Sequence, residues 1–270
     1  RAFSVASWNV EHFRGDPARV SRVVGLLGDV DPDVFALYEV TGSEVFQALT
    51  TQMDGYNFHI TEGQQVQEIL VGVRGTITAF FTQKIGVRSG NSLLRPGSLV
   101  TIRVAGENYS MLFLHTKSGS DPRGLGLRDD MLSRACKFRG SLDRAAEGSS
   151  RANYMFLGDL NTMGMKYTHA RSEDIELENE LRRLDRLARY RKMRRLSKDE
   201  PVTWWGGSTS LLPSDLDQVV AADHLEFTSF NGAPVTVLGW PKEASEIQQL
   251  EWIDNYSDHG LLYFEVLQPE

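Results

Sequence analysis

Four short apolar runs end in, or lead straight into, polar groups for which a hydrophobic core has no use. They read Ser7-Trp8-Asn9-Val10-Glu11, Ala36-Leu37-Tyr38-Glu39-Val40, Phe113-Leu114-His115-Thr116-Lys117-Ser118-Gly119 and Phe156-Leu157-Gly158-Asp159-Leu160-Asn161-Thr162. Buried charge is expensive unless paired or bound to a metal, so carboxylates at the rim of a core call for a partner. Two further pieces lie near the C-terminus, Asp215-Leu216-Asp217-Gln218 and Ser257-Asp258-His259-Gly260. An aspartate beside a histidine suits both metal ligation and general-base work. Oxygen ligands of this kind suit Mg²⁺ or Mn²⁺, which keep some of their waters and bind phosphate directly.

Such groups must be held by regular elements, and apolar patterning supplies them. Strands are expected at Phe3 to Val10, Val34 to Val40, Ile69 to Val73, Thr76 to Thr82, Leu99 to Val104, Tyr109 to His115, Tyr154 to Leu157, Leu216 to Ala221 and Gly260 to Val266. Helical patterns fall at Pro17 to Leu27, Ser43 to Met53 and Leu127 to Ala146. The sum is an α/β or α+β chain with many strands. No repeat, heptad seam or low-complexity linker divides it, so residues 1–270 are read as one domain.

The stretch from Ser172 to Lys198 has its own texture. It opens with Glu173, Asp174, Glu176, Glu178 and Glu180 and closes with Arg182, Arg183, Arg186, Arg189, Arg191, Lys192, Arg194 and Arg195. Acids early and bases late complement a helix dipole. Leu177, Leu181, Leu184 and Leu187 add a narrow apolar stripe. An amphipathic helical insertion is expected at about 172–198. It reads either as a solvated helix laced by i,i+4 ion pairs or as an arm that touches nucleic acid.

Composition narrows the field. The single cysteine, Cys136, excludes an internal disulfide and any thiolate cluster, so a metal must sit on oxygen and nitrogen. Apolar stretches are far shorter than the roughly 20 residues of a membrane span, and a soluble protein is expected. The first residue is Arg1, from which a trimmed start is expected, and cytoplasmic and exported locations stay equally open. Lys+Arg 29 against Asp+Glu 36 gives a net charge of −7, unlike a protein that coats nucleic acid by charge alone. A local basic patch with metal ions still permits a phosphate substrate.

In order and separation, the six fragments from Trp8 to His259 together resemble the endonuclease/exonuclease/phosphatase superfamily, which includes DNase I-like and exonuclease III-like enzymes. That resemblance implies an α+β fold, a four-layered αββα sandwich of two packed, mostly antiparallel sheets. By position it implies Asn9 and Glu39 at the metal with Asp258, and Glu11 where abasic-site enzymes place an aspartate near the ion. His115 falls where DNase-like members bind the scissile phosphate and protonate the leaving oxygen. Asp159 and Asn161 match a GD-x-N motif beside the nucleophile, and Asp217 matches the aspartate that orients His259. The spelling Asp223-His224 recurs too soon after Asp217 to be the terminal pair. His12 and His59 have no motif around them, whereas His169 follows the fourth motif closely enough to be a cleft candidate. A glutamate that backs the third-motif histidine in many members has two candidates here, Gln67 and Glu68.

The superfamily divides among nucleic acids, phosphoinositides and phospholipids. Towards nucleic acid, DNA ahead of RNA, point His115, the basic residues Lys117, Arg189, Arg194 and Arg195, and the Trp204-Trp205 pair, whose faces are suited to stacking on bases or to core packing. The competing reading is a phosphatase or phospholipase-like enzyme for phosphorylated sugars or lipid headgroups, and a third is a binding protein without turnover.

Overall fold

Apolar residues on both faces of the first two strands decide the layering. In β1 (Phe3–Phe13) and β2 (Val34–Val40), Phe3, Val5, Val34, Ala36 and Tyr38 enter one core while Ala6, Trp8, Val10, Phe35 and Leu37 enter another. A sheet buried on both faces needs a cover on each. On one side the cover is helical: α1 (Pro17–Val30) and α2 (Ser43–Gln52) turn Val20, Val23, Val24, Leu27, Val45 and Leu49 onto it. The start of α1 follows from Asp16, whose side chain accepts the Ala18 N–H, and from Pro17 in the first turn. On the other side the cover is a second sheet.

The computed structural model describes residues 1–13, 15–64, 68–146, 151–208 and 210–268. Its first sheet also contains β3 (Tyr56–Ile60), β4 (Glu68–Arg74), β11 (Thr236–Leu238) and β12 (Leu261–Val266), in the order β11-β12-β1-β2-β4-β3. The second runs β5 (Thr78–Lys84), β6 (Gly97–Val104), β7 (Glu107–His115), β8 (Asn153–Asp159), β10 (Asp217–Ala222) and β9 (Met193–Arg195). Outside it lie α3 (Pro122–Ala145) and α4 (Leu177–Tyr190), which bury Leu132, Ala135, Cys136, Leu184 and Ala188. A short α5 (Glu246–Asn255) precedes the last strand. The architecture is the four-layered αββα sandwich, with mixed sheets that are antiparallel except at β1/β2 and β7/β8.

Those two parallel pairs position the site. Strands β1, β2, β7 and β8 deliver Asn9, Glu39, His115 and Asp159 at or near their C-terminal ends. Antiparallel neighbours β10 and β12 begin at the same rim, so Asp217 pairs across from Asp159 and His259 sits just before Leu261. Gly158 shows how closely the sheets approach: a Cβ there would lie 2.2 Å from the Leu114 carbonyl oxygen and 2.5 Å from the Tyr38 hydroxyl, at a φ of +136°. Only glycine fits.

The charged stretch from 172 to 198 is not one helix. α4 stops at Tyr190, and Arg194 and Arg195 lie on the edge strand β9, paired with Ala221 and Val220. α3 begins five residues earlier than its apolar pattern, at the Asp121-Pro122 cap. β9 and β11, at three residues each, are too short to be read from periodicity, and β3, with Tyr56, Phe58 and Ile60 alternating, and α5, with Ile247, Leu250, Trp252 and Ile253, are not among the expected elements.

Candidate active site

One cleft of about 350 Å³ collects the strand-end groups: Asn9, Glu11, Glu39, His115, Asp159, Asn161, Asp258 and His259 all line it. Asn9, His115, Asp159, Asn161, Asp217 and His259 are each no more than 5% exposed. Backbone geometry aims them. Glu39 and Asn161 adopt left-handed φ values of 63° and 49°, as do Glu11 and His12, an uncommon choice for residues with a Cβ. Asn161 is held there by its own N–H, which donates to Asp159 Oδ1 at 3.0 Å.

Asp159 is the hub. Its Oδ2 accepts from Asn9 Nδ2 at 2.8 Å and lies 3.4 Å from His115 Nε2 and 3.9 Å from His259 Nε2. Asn9 Nδ2 also reaches Glu39 Oε1 at 3.3 Å, while Asn9 Oδ1 accepts the Glu11 N–H. Asn9 therefore ties the glutamate wall to the aspartate wall. Across the sheets, His259 Nδ1 meets Asp217 Oδ2 at 2.8 Å. That contact fixes the ring and turns Nε2 into the cleft.

Electrostatics separate the two histidines. Burial lowers the His259 pKa, but Asp217, Asp159 and Asp258 together outweigh it and lift the ring to about 10. For His115, burial combines with the charges of Arg95, His259 and His12 and drives the pKa well below 6.5. Burial also raises Asp159, against the pull of His259 and with the push of Asp217.

The opposite wall is lined by carboxylates. Asp258 Oδ2 accepts the Trp204 indole N–H at 2.7 Å, and Oδ1 is buried with no hydrogen-bond partner among the described residues. Burial, with Glu39 and Asp217 adding, raises the Asp258 pKa; burial and Asp258 raise that of Glu11. Glu39, Asp258 and Glu11 are hard oxygen donors that face one space, and a divalent ion fits them. Asp159, Asp217 and His259 also bring ligand atoms within 4.8 Å of one another. In that trio, however, Asp217 is already engaged by the His259 ring.

Other candidates fall elsewhere. Lys117 lines a neighbouring groove. Arg189, Arg194 and Arg195 surround a separate hollow with Asp185; Arg195 pairs with Asp185 at 2.9 Å, and Arg194 donates to the Asp223 and Leu225 carbonyls. The structure does not bring these three arginines to the cleft. Asp223-His224 follows the far end of β10, where His224 Nε2 contacts Asn153 Oδ1. His59 stacks on Phe81, and His169 packs against Tyr167 and is absent from the cleft lining. Glu68 accepts from the Thr61 hydroxyl, and His115 Nδ1 is buried without a partner; Gln67 lies outside the described residues.

Three cleft residues escape sequence reasoning or are underweighted by it. His12 Nδ1 lies 3.2 Å from Glu39 Oε2. Arg95 is a cation inside the catalytic space, where the charges of Glu39 and Asp159 act on it. Trp204 is half-buried and forms a wall. Arg95 stands alone in a loop and His12 in the irregular end of β1, so neither gives a pattern; the third was visible only as half of a tryptophan pair.

Paired carboxylates, a buried Asp–His dyad and a cation-seeking wall at the rim of two packed sheets define a metal-assisted phosphoesterase. Residues 6–259 match the profile of the Endonuclease/Exonuclease/phosphatase family, and the chain belongs to it. It is a phosphoric-ester hydrolase, in a family that depends on divalent metal ions. Among solved structures it is similar to truncated TDP2 of Caenorhabditis elegans (15% identity, 98% of each chain, TM-score 0.70). It is also similar to TDP2 of D. rerio complexed with single strand DNA product (15% identity, 98% of this chain and 99% of that one, TM-score 0.66). A third is the mannosyl-6-phosphatase of Bacteroides thetaiotaomicron (13% identity, 98% and 100%, TM-score 0.60). At these identities the likeness carries the fold. No curated protein sequence matches the chain. Among the described residues no helix is long and apolar enough to cross a membrane.

Proposed function

We propose that the protein is a Mg²⁺- or Mn²⁺-dependent nuclease that hydrolyses phosphodiester bonds of DNA or RNA by direct attack of water. The observation that carries this reading is Asp159, buried between Asn9, His115 and His259 and facing the wall of Glu39 and Asp258. Glu39 and Asp258, with Glu11 alongside, would hold the ion, which would supply Lewis acidity towards the phosphate.

The chain's own groups account for the rest. Asp159, made more basic by burial, accepts a proton from the attacking water, and Asn161 orients that water without adding charge. His259 stays cationic at neutral pH and donates Nε2–H to a non-bridging oxygen. His115 enters as a neutral ring, so it gives a hydrogen bond on the leaving side, next to the positive charge of Arg95, rather than a ready-made acid. Nucleic acid is favoured over a sugar phosphate by the indole of Trp204 on the cleft wall, a surface on which a base stacks.

The test is incubation with plasmid, single-stranded DNA, RNA, an inositol polyphosphate, sphingomyelin and mannose 6-phosphate, each with Mg²⁺, Mn²⁺ or chelator. Strand cleavage in the metal-containing tubes alone supports the reading. Release of inorganic phosphate from the sugar or inositol compounds, without strand cleavage, overturns it.

A further inference from the structure

Beside the catalytic cleft runs a second depression of about 460 Å³ that shares Arg95 and Ser118 with it. The two are one continuous surface. Lys117 and Arg123 line the depression, and among the described residues neither side chain makes an ion pair or a hydrogen bond. Several other cations are committed, Arg128 to Glu180, Arg183 to Asp129, Arg195 to Asp185 and Lys198 to Asp215, and what sets Lys117 and Arg123 apart is their place beside the catalytic cleft. In a chain of net charge −7, Arg95, Lys117 and Arg123 stand next to the reaction centre against the single carboxylate Asp121, on which the Lys117 charge acts, and leave a local positive field. Asp121 is the carboxylate in this wall, and its Oδ1 is turned to the Arg123 and Gly124 N–H groups that begin α3. Leu93, 53% exposed, and Leu127 supply apolar surface beside the charges.

We infer that this groove is a subsite for the nucleotide adjoining the scissile bond, with Lys117 and Arg123 on its phosphate and Leu93 and Leu127 against its sugar and base. The inference rests on the nuclease reading above and deepens it. A small phosphomonoester fills the catalytic cleft and leaves the groove empty. An inositol polyphosphate offers a second phosphate but gains nothing from the leucines. A strand of nucleic acid uses both, so the enzyme acts on chains in preference to isolated esters.

The experiment compares kcat/KM for a single-stranded pentanucleotide with that for the p-nitrophenyl ester of thymidine 5′-phosphate, in the intact protein and in K117A/R123A. The expected ratio is at least tenfold in favour of the pentanucleotide, collapsing towards one in the variant. The salt dependence of log KM for the pentanucleotide should become shallower by about 0.7, the value for one phosphate neutralised on a single strand. A Leu93→Ser variant, at an exposed position where folding is not at stake, should lower the ratio several-fold without altering the salt slope. A ratio near one in the intact protein, or one that survives K117A/R123A, overturns the subsite while the nuclease reading stands. Failure of the intact protein to cleave either compound overturns that reading instead. Preference for an inositol polyphosphate over the pentanucleotide overturns both.

Discussion

Changing Glu180 to Gln removes one charge from a buried pair that ties two catalytic loops together, and its effect follows from the contacts. Arg128 is fully buried; its Nε and Nη2 meet Glu180 Oε1 and Oε2 at 2.6 and 3.0 Å. Its remaining N–H groups reach the carbonyls of Lys117, Gly119 and Gly164 at 3.0 to 3.1 Å, which fills all five donors. Glu180 Oε2 also accepts from the Met163 and Gly164 N–H groups. The pair thus joins the loop after His115 to the loop after Asn161. Breaking a buried pair from one side costs about 3–5 kcal/mol, because the other charge stays behind without compensation. For a domain of this size that lowers Tm by roughly 6–20 °C.

Urea denaturation of metal-free protein at 25 °C measures the first quantity, and kcat well below the melting range measures the second. We expect kcat to fall more than tenfold, since Asn161 and the Lys117 loop lose their anchor. Mn²⁺ affinity measured by calorimetry should hold, because Glu39 and Asp258 lie on the other wall. An apolar replacement of both partners, Arg128→Met with Glu180→Leu, should recover stability but not kcat. A Glu180→Gln protein that melts within 2 °C of the parent with unchanged kcat would refute this reasoning, and α4 would revert to an ordinary solvated helix.

Three further outcomes are expected. Trp204→Phe keeps the ring but loses the N–H that holds Asp258 Oδ2, so Mn²⁺ affinity by calorimetry should drop about tenfold, the value of one hydrogen bond to a charged group; unchanged affinity would mean that Asp258 is oriented by the backbone alone. Asp217→Asn removes the largest of the charges that raise His259, whose stabilising contribution is fully present below its ordinary pKa of 6.5 and lost as pH rises through about 10. The stability gap between parent and variant, from metal-free urea melts, should therefore be widest at pH 6 and narrow above pH 10; a gap that widens with pH would reverse the assignment. Arg189→Ala with Arg194→Ala should leave KM for single-stranded DNA within twofold, since both lie at a hollow apart from the cleft; a tenfold rise would place substrate there after all.

How much of this was legible depends on whether a residue belonged to a pattern. Asn9, Glu39, His115 and Asp159 stood out because each ends or follows an apolar strand, where a charge or amide has no packing reason to be. Arg95 sits in a loop, and His12 in the irregular end of β1, where a φ of 46° breaks the alternation of the strand, so no local period points to either. The Ser172 to Lys198 stretch misled in an instructive way. Its acids and bases suggested a continuous dipole-matched helix, but Arg194 and Arg195 belong to a three-residue edge strand, where exposed charge protects an unpaired edge. Its most consequential residue, Glu180, looked like one more surface acid until Arg128 arrived from α3. The early start of α3 was hidden by Gly124, which reads as a helix breaker; a Cβ there would lie 2.4 Å from the Gly119 oxygen, so the glycine permits contact between the first turn and the loop below.

The two sheets divide the chemistry, and this explains why the site sits at their shared rim. From the first sheet and its approaches come Asn9, Glu39 and Asp258, the groups that face a cation. From the second come His115, Asp159 and Asp217, and Asn161 follows directly after β8. The two sets are tied together: His259 precedes β12 in the first sheet yet takes its orientation and charge from Asp217 at the start of β10 in the second. Asn9 on β1 likewise donates across to Asp159 on β8. The distance between the Glu39–Asp258 wall and Asp159 is therefore the distance between sheets, set by the packing of Tyr38 against Gly158 and by the Tyr38 hydroxyl, which reaches the Leu157 carbonyl at 3.5 Å. A well-packed core resists sub-ångström change, and in this protein that stiffness holds Asp159 at a fixed reach from Asn9, His115 and His259.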